Sequence, residues 1–309
     1  MDSGLTEKFP PQTVEKVNRL FDLLYELGKH PNLRGKFAMH GGTALNLFVF
    51  DIPRLSVDID LSYIGAISRE EMLKERPFVE KAISDVARSQ GYMVTSTTGG
   101  HAGKTFVLNY CSSFGRNNIK VDFVYLNRSP LLPVKNRVSR FRSDVQVPLF
   151  DRAELIGGKT KAFFERVKVR DLYDIANCKR TLDVDNQESN RVLHKIILFY
   201  ATLSANFPYG FVGREKRFET LHKEFNEQLI PMLRLQEIHP KLEELIVEAR
   251  EYINGYVLPQ DEGEEEFLFS FAKGEFFPEL LFGENEIAKA ASWSPEAMWK
   301  LQNLKKITR

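Results

Sequence analysis

Apolar residues recur at helical spacing between residues 12 and 28, where Val14, Val17, Leu20, Phe21, Leu24 and Leu27 fall on one stripe and Gly28 closes the run. The period then changes. A short strand over Phe37–His40 leads into a Gly-Gly-Thr turn, an apolar helix over Ala44–Phe50, a loop containing Pro53 and an alternating strand over Ser56–Ile64. Residues 68–90 predict a charged helix. Further strands are expected at Tyr92–Thr98, Thr105–Cys111 and Ile119–Leu126, the last two joined across a turn at Gly115–Asn118. Lys135 to Arg142 has no strong apolar period and predicts an exposed loop or strand edge. From Asp151 to about Leu182 the pattern is one long helix, and the remainder is helical in period, punctuated by Pro and Gly at 208–210, 231, 240 and 259–263. The acidic run Asp261–Glu266 predicts a solvated loop. The expectation is an α/β (α+β) chain, with a mixed-sheet domain over residues 1–150 followed by an α-helical C-terminal domain over residues 151–309.

Composition narrows the function classes. At 309 residues, with 43% hydrophobic and 28% charged positions, the chain is long enough for two folded domains with a substantial core. A net charge of +1 excludes an overall basic field, so any contact with nucleic acid must be local. Two cysteines, Cys111 and Cys178, are too few for a disulfide framework or a four-cysteine zinc site, and reduced thiols in a cytoplasmic protein are expected. The opening residues carry no signal-peptide pattern and no stretch is apolar enough to span a bilayer, so no membrane is expected among the partners.

Candidate chemistry concentrates in His40-Gly41-Gly42-Thr43-Ala44-Leu45 and Arg54-Leu55-Ser56-Val57-Asp58-Ile59-Asp60-Leu61. In a strand, Ser56, Asp58, Asp60 and Ser62 share one face, while Val57, Ile59, Leu61 and Tyr63 share the other. Two carboxylates aimed at one region repel each other unless a cation lies between them, and Mg²⁺ is the natural hard-oxygen candidate. The Gly-Gly-Thr turn complements them, because glycine permits close backbone approach and the following helix start offers free N–H groups to phosphate. A third carboxylate, Asp122, lies on the strand Ile119–Tyr125, sharing a face with Lys120. Farther on, Arg166, Arg170 and Asp174 lie four apart on the expected long helix, with Asp171 three before Asp174, so cations and carboxylates interleave on one side. That pattern suits a salt-bridged surface helix as well as a site. His40, His101 and Cys178 are expected to have packing or supporting roles, since no zinc spacing links them.

Gly-Gly-Thr-Ala-Leu, Arg-x-Ser-x-Asp-x-Asp-Leu, Lys-x-Asp and Lys-x-Lys-Ala-Phe-Phe-x-Arg-x-Lys-x-Arg-Asp-Leu-Tyr-Asp-Ile, in that order over residues 37–178, resemble the AbiEii/AbiGii toxin family, which includes the MenT toxins. The resemblance implies a polymerase-beta-like nucleotidyltransferase domain, an NTP substrate, a two-ion Mg²⁺ site and a cognate AbiEi-type antitoxin in a toxin–antitoxin or abortive-infection system. It also implies NMP transfer to an RNA acceptor, the 3′ end of tRNA foremost. The metal-binding and catalytic carboxylates fall on Asp58, Asp60 and Asp122. Gly41, Gly42, Thr43 and Ser56 fall at the nucleotide, as do Arg166, Arg170 and Asp171. Lys159 or Lys161 would hold the triphosphate and Asp174 would support the site, with the choice of lysine open. Lys135–Arg142, Arg214, Lys216 and Arg217 are candidate phosphate contacts for the acceptor. Two other readings stand beside this one: an enzyme that nucleotidylates a protein, and a catalytically silent nucleotidyltransferase fold acting as a regulatory module.

Overall fold

The N-terminal stripe becomes helix α1 (Pro11–Lys29), which buries Leu23 as well as the six apolar residues of the pattern and ends one residue beyond Gly28. The computed structural model describes residues 8–96, 100, 102–139, 142–182, 187–208, 215–235 and 237–307. Contacts divide the chain into two units, Met1–Phe150 with Met232–Glu237, and Asp151–Pro231 with Ile238–Arg309. No helix among the described residues is long and apolar enough to cross a membrane.

The first unit is built on a seven-stranded mixed sheet. Its strands are β1 (Phe37–His40), β2 (Ile59–Tyr63), β3 (Met93–Ser96), β4 (Gly103–Ser112), β5 (Gly115–Val124), β6 (Lys135–Val138) and β7 (Gln146–Leu149), in the order β3-β4-β5-β2-β1-β7-β6. Only β1–β7 and β2–β5 are parallel, so β2 is flanked by an antiparallel and a parallel neighbour. Ile59, Leu61 and Tyr63 of β2 and Ile119, Val121 and Phe123 of β5 are buried on one face. Helix α3 (Arg69–Ser89) covers that side, and Tyr63 Oη donates to its Glu75 at 2.6 Å. Between β1 and β2 lies α2, α-helical over Gly41–Ala44 and π-helical over Leu45–Val49.

The β4–β5 hairpin turns at Ser113-Phe114, with Ser112 paired to Gly115, so the expected turn residues 115–118 lie inside β5. Asn and Gly at those positions suggested a turn, but ten paired positions along two long strands fix the register there. β2 is likewise shorter than expected. Residues 55–57 are held as a loop by a segment distant in sequence: Met232 O accepts from Leu55 N at 2.8 Å, Leu233 bridges Arg54, and Arg234 donates to the carbonyls of Asp51 (2.6 Å) and Ile52 (3.2 Å).

In the second unit the expected long helix is two, α4 (Arg152–Arg166) and α5 (Val169–Leu182), because Val167 adopts the left-handed conformation (φ 47°) and ends α4. No Gly or Pro marks that break. Helices α6 (Gln187–Thr202), α7 (Leu242–Tyr256), α8 (Glu262–Ala272), α9 (Pro278–Phe282), α10 (Glu286–Ser292) and α11 (Pro295–Ile307) follow, with irregular helical turns between α6 and α7. Phe199, Phe267, Phe271, Phe276 and Phe282 form a contiguous aromatic cluster, which accounts for part of the chain's 24 phenylalanines.

The acidic run is not a loop. Asp261 caps α8 by accepting from Glu264 N at 2.8 Å, and Glu262, Glu264 and Glu265 occupy the first turn, where the helix dipole favours negative charge. Glu264 is fully buried and accepts from Gln260 N while facing His194 and Arg191.

Leu20→Ala, at a fully buried position of α1, is expected to lower stability by about 3 kcal/mol. Urea unfolding beside Val247→Ala, an exposed control, checks this; equal midpoints for the two variants would refute the core position assigned to Leu20.

Candidate functional site

The strand pairings bring two of the three sequence-predicted carboxylates, Asp60 and Asp122, side by side. On the parallel β2–β5 ladder Asp60 stands opposite Asp122, and the same row continues to His40 on β1 and Thr105 on β4. All four therefore lie on the sheet face opposite the apolar side, and neighbouring strands place the two carboxylates about 5 Å apart at their backbones. Both are partly exposed. Thr105 Oγ1 donates to Asp122 Oδ1, fixing the orientation of that carboxylate. His40 packs its ring against Phe150, with centroids 5.9 Å apart.

Asp58 sits one residue before β2. Thr43 reaches across from α2 to fasten it: the Thr43 hydroxyl lies 2.8 Å from Ser56 Oγ and hydrogen-bonds the Asp58 carbonyl. Thr43 and Ser56 are both buried, so their side chains join the turn to the acidic strand rather than standing open to a ligand. The turn also touches Asp60 directly. Gly41 has φ 75°, and a Cβ there would lie 2.1 Å from Asp60 Oδ2 and 2.7 Å from its Cγ, so a side chain is excluded by both conformation and space. Asn46 Nδ2 donates to Gly42 O at 2.9 Å, bracing the turn from within the helix, and no side chain caps the start of α2. Its first-turn amides are thus not occupied by a capping side chain, as a phosphate-binding turn requires.

Asp60 and Asp122, with Asp58 two residues before Asp60, offer carboxylate oxygens only, the donor chemistry that suits a hard divalent cation. Among the described residues no three His, Cys, Asp or Glu side chains form a ready-made metal cage. An open pair of carboxylates agrees with Mg²⁺ coordination, in which one or two protein carboxylates are commonly completed by water and substrate phosphates.

The second group of predicted residues forms a buried ionic cluster inside the helical unit. Lys159 Nζ lies 2.7 Å from Asp171 Oδ1 and in direct contact with Asp174, and the three side chains are at most 4% exposed. Arg166 grips Asp171 with Nε and Nη2 at 2.6 and 2.9 Å. Burial alone would raise the Asp171 carboxyl, but Lys159 and Arg166 outweigh it and hold it well below the usual carboxylate range. Lys161 pairs with Glu296 and, at 3.8 Å, with Glu165. The single helix face expected through Arg166, Arg170 and Asp174 does not exist, because Val167 separates Arg166 from α5; Arg166 reaches Asp171 across that break instead. Cys178 is buried, and burial pushes its thiol well above the usual range.

The basic stretch divides. Lys135 and Arg137 are exposed on edge strand β6, but Lys135 pairs with Leu149, which pairs with Met39 on the apolar side. Their side chains therefore lie on the face opposite Asp60 and Asp122. Arg142 is engaged by Asp22 and Asp144 at 3.0 and 2.8 Å. Arg217 is exposed, whereas Arg140, Arg214, the Lys216 side chain and His101 lie outside the described residues. Sequence reasoning did not find Thr105, nor the Met232–Arg234 clasp; alternation with Phe106 and Leu108 put Thr105 on the polar face, but no spacing shows which residue it meets.

A mixed sheet that carries carboxylates in register beside an uncapped Gly-Gly-Thr turn is the framework of a nucleotidyltransferase. The sequence matches the family described as nucleotidyl transferase AbiEii toxin, type IV toxin–antitoxin system, over residues 22–261, and the chain belongs to that family. It is similar in fold to MenT4, a nucleotidyltransferase toxin of Mycobacterium tuberculosis H37Rv, with a TM-score of 0.58 and 14% identity over 99% of this chain and 96% of that one. A weaker likeness, with a TM-score of 0.46 and 17% identity over 80% of this chain and 92% of the other, is to JHP933 of Helicobacter pylori. No curated protein matches the sequence. Family membership implies an NTP substrate, the divalent metal typical of such enzymes, and an antitoxin partner.

Gly41→Ala is expected to displace Asp60 and lower NTP turnover by about 10-fold or more, with the circular-dichroism spectrum unchanged. Full turnover in that variant would refute the contact's importance. In the helical unit, Lys159→Met leaves two buried carboxylates without their shared cation and is expected to cost about 3–5 kcal/mol in denaturant unfolding; an unchanged midpoint would show that the cluster is not stabilising. Because the folded Asp171 pKa is depressed, its contribution is present above the unfolded value of about 4 and is lost as pH falls below it. Thermal melts from pH 7 to 3 are therefore expected to fall less steeply for Asp171→Asn than for wild type, and parallel curves would refute the linkage.

Proposed function

We propose that this toxin transfers a nucleoside monophosphate from an NTP to an RNA hydroxyl, the 3′ end of tRNA foremost, using Mg²⁺ at Asp58, Asp60 and Asp122. The observation that carries the reading is the register of Asp60 with Asp122, one strand from the turn that packs against Asp60. The RNA acceptor rests on the resemblance of the four motif blocks to toxins that extend tRNA.

Each residue has a distinct part. Asp58, Asp60 and Asp122 hold the cation, with Thr105 orienting Asp122. Gly41 keeps Asp60 in place, and the Gly42 and Thr43 amides receive phosphate oxygens at the start of α2. Thr43 and Ser56 keep the turn and the acidic strand in register. Lys159, Arg166, Asp171 and Asp174 hold α4 to α5, and Arg170, half-buried on α5, remains the cation of that motif without an ion pair among the described residues. Bound Mg²⁺ supplies neutralisation of phosphate charge and acidification of the attacking hydroxyl, in one or two sites. The acceptor oxygen bonds to the α-phosphorus, the bond from that phosphorus to the bridging oxygen breaks, pyrophosphate leaves, and the hydroxyl proton passes to solvent. Catalysis by this chain is therefore positioning and electrostatics, without a covalent enzyme intermediate.

The test is incubation of the protein with Mg²⁺, total tRNA and each α-³²P-labelled NTP in turn, beside Asp58→Ala and Asp122→Asn. Label is expected in tRNA with wild type and to fall by about 100-fold or more in both variants. Label in protein alone would replace the acceptor; no label in either, or variants as active as wild type, would overturn the metal mechanism.

A further inference from the structure

We infer that Lys120 is the cation that receives the triphosphate of the incoming nucleotide. The inference rests on the nucleotidyl-transfer reading above and names a substrate contact within it. A triphosphate brings close to four negative charges towards two or three carboxylates, so a cation of the protein is needed beside the metal. The two lysines between which the family resemblance leaves this task are both ion-paired within the helical unit: Lys159 with Asp171 and Asp174, and Lys161 with Glu296 and Glu165.

Lys120 meets the requirement within the first unit itself. It lies on β5 two residues before Asp122, so strand geometry directs both side chains to the same face about 7 Å apart along the strand. Its antiparallel partner on β4 is Val107, which offers no charge. The β2–β5 pairing places Ile59 opposite Val121, and continuing that register by one residue brings Asp58 level with Lys120. The ammonium thus belongs to the row next to the Asp60–Asp122 row, one pleat nearer the start of β2. It is exposed, and among the described residues it forms neither an ion pair nor a side-chain hydrogen bond. Ile119, Val121 and Phe123 alternate with it and are buried on the apolar face, so Lys120 stands with Asp122 on the polar face, where its ammonium is open to a ligand. A flexible four-carbon stem carrying a point charge suits a phosphate whose position changes as pyrophosphate departs.

The experiment compares wild type, Lys120→Ala and Lys120→Arg for binding of each NTP and of the corresponding NMP by titration calorimetry with Mg²⁺, and for KM and kcat in the labelling reaction. Lys120→Ala is expected to weaken binding of the preferred NTP by about 10-fold or more, to leave NMP binding unchanged, and to raise KM more than it lowers kcat. Lys120→Arg is expected to restore most of the affinity. Equal NTP affinity in folded Lys120→Ala, equal loss for NTP and NMP, or a loss confined to tRNA affinity would each overturn the assignment while leaving the parent reading intact. Failure of the wild-type protein to bind any NTP would overturn both.

Discussion

Two carboxylates standing side by side on a parallel ladder are the constraint around which the first unit is arranged. Like charges on neighbouring strands disfavour one another, which is a cost to the folded state. The fold holds them there regardless. β2 and β5 are central strands whose opposite face is fully buried, so sliding either strand by one residue to separate the charges would turn Ile59, Leu61, Val121 and Phe123 out of the core. Relieving the repulsion by a shift of register would cost more than the repulsion itself, and a divalent cation at the proposed site would make the same arrangement attractive.

Around that pair the supporting contacts are short and specific. Thr105 holds one carboxylate, Gly41 packs on the other, and Thr43 ties the turn to the strand through Ser56 and Asp58. None of these contacts is strong by itself. Together they fix the angle between the start of α2 and the acidic row, the relation on which the proposed phosphate and metal binding rests. The helical unit places its charges differently, since Lys159, Asp171 and Asp174 pair with one another inside a core.

Much of this architecture was legible in the sequence where the cause is local. The α1 stripe and the β1 limits follow from periodicity alone. Asp58, Asp60 and Asp122 stood out as an ordered set, but their alignment depends on pairing between strands some sixty residues apart, which no local pattern encodes. The break at Val167 was hidden because a β-branched residue rarely adopts a left-handed conformation. The acidic run was misread because several like charges suggest a solvated loop, whereas a helix start stabilises them and buries Glu264 against His194 and Arg191. That Lys159 meets Asp171 and Asp174 inside the core was likewise hidden, since the spacing of a basic motif does not show which carboxylates its lysine pairs with.

The clasp formed by Met232, Leu233 and Arg234 has a consequence in time as well as in space. It fastens residues 51–55, the loop between the glycine turn and the acidic strand, yet it is encoded 177 to 183 residues later. A ribosome that has finished the seven strands has therefore not yet made the piece that secures this loop. For a protein whose activity is toxic, the order of synthesis itself delays a fully braced site until about three-quarters of the chain has emerged, so truncated products ending before residue 232 are born without it.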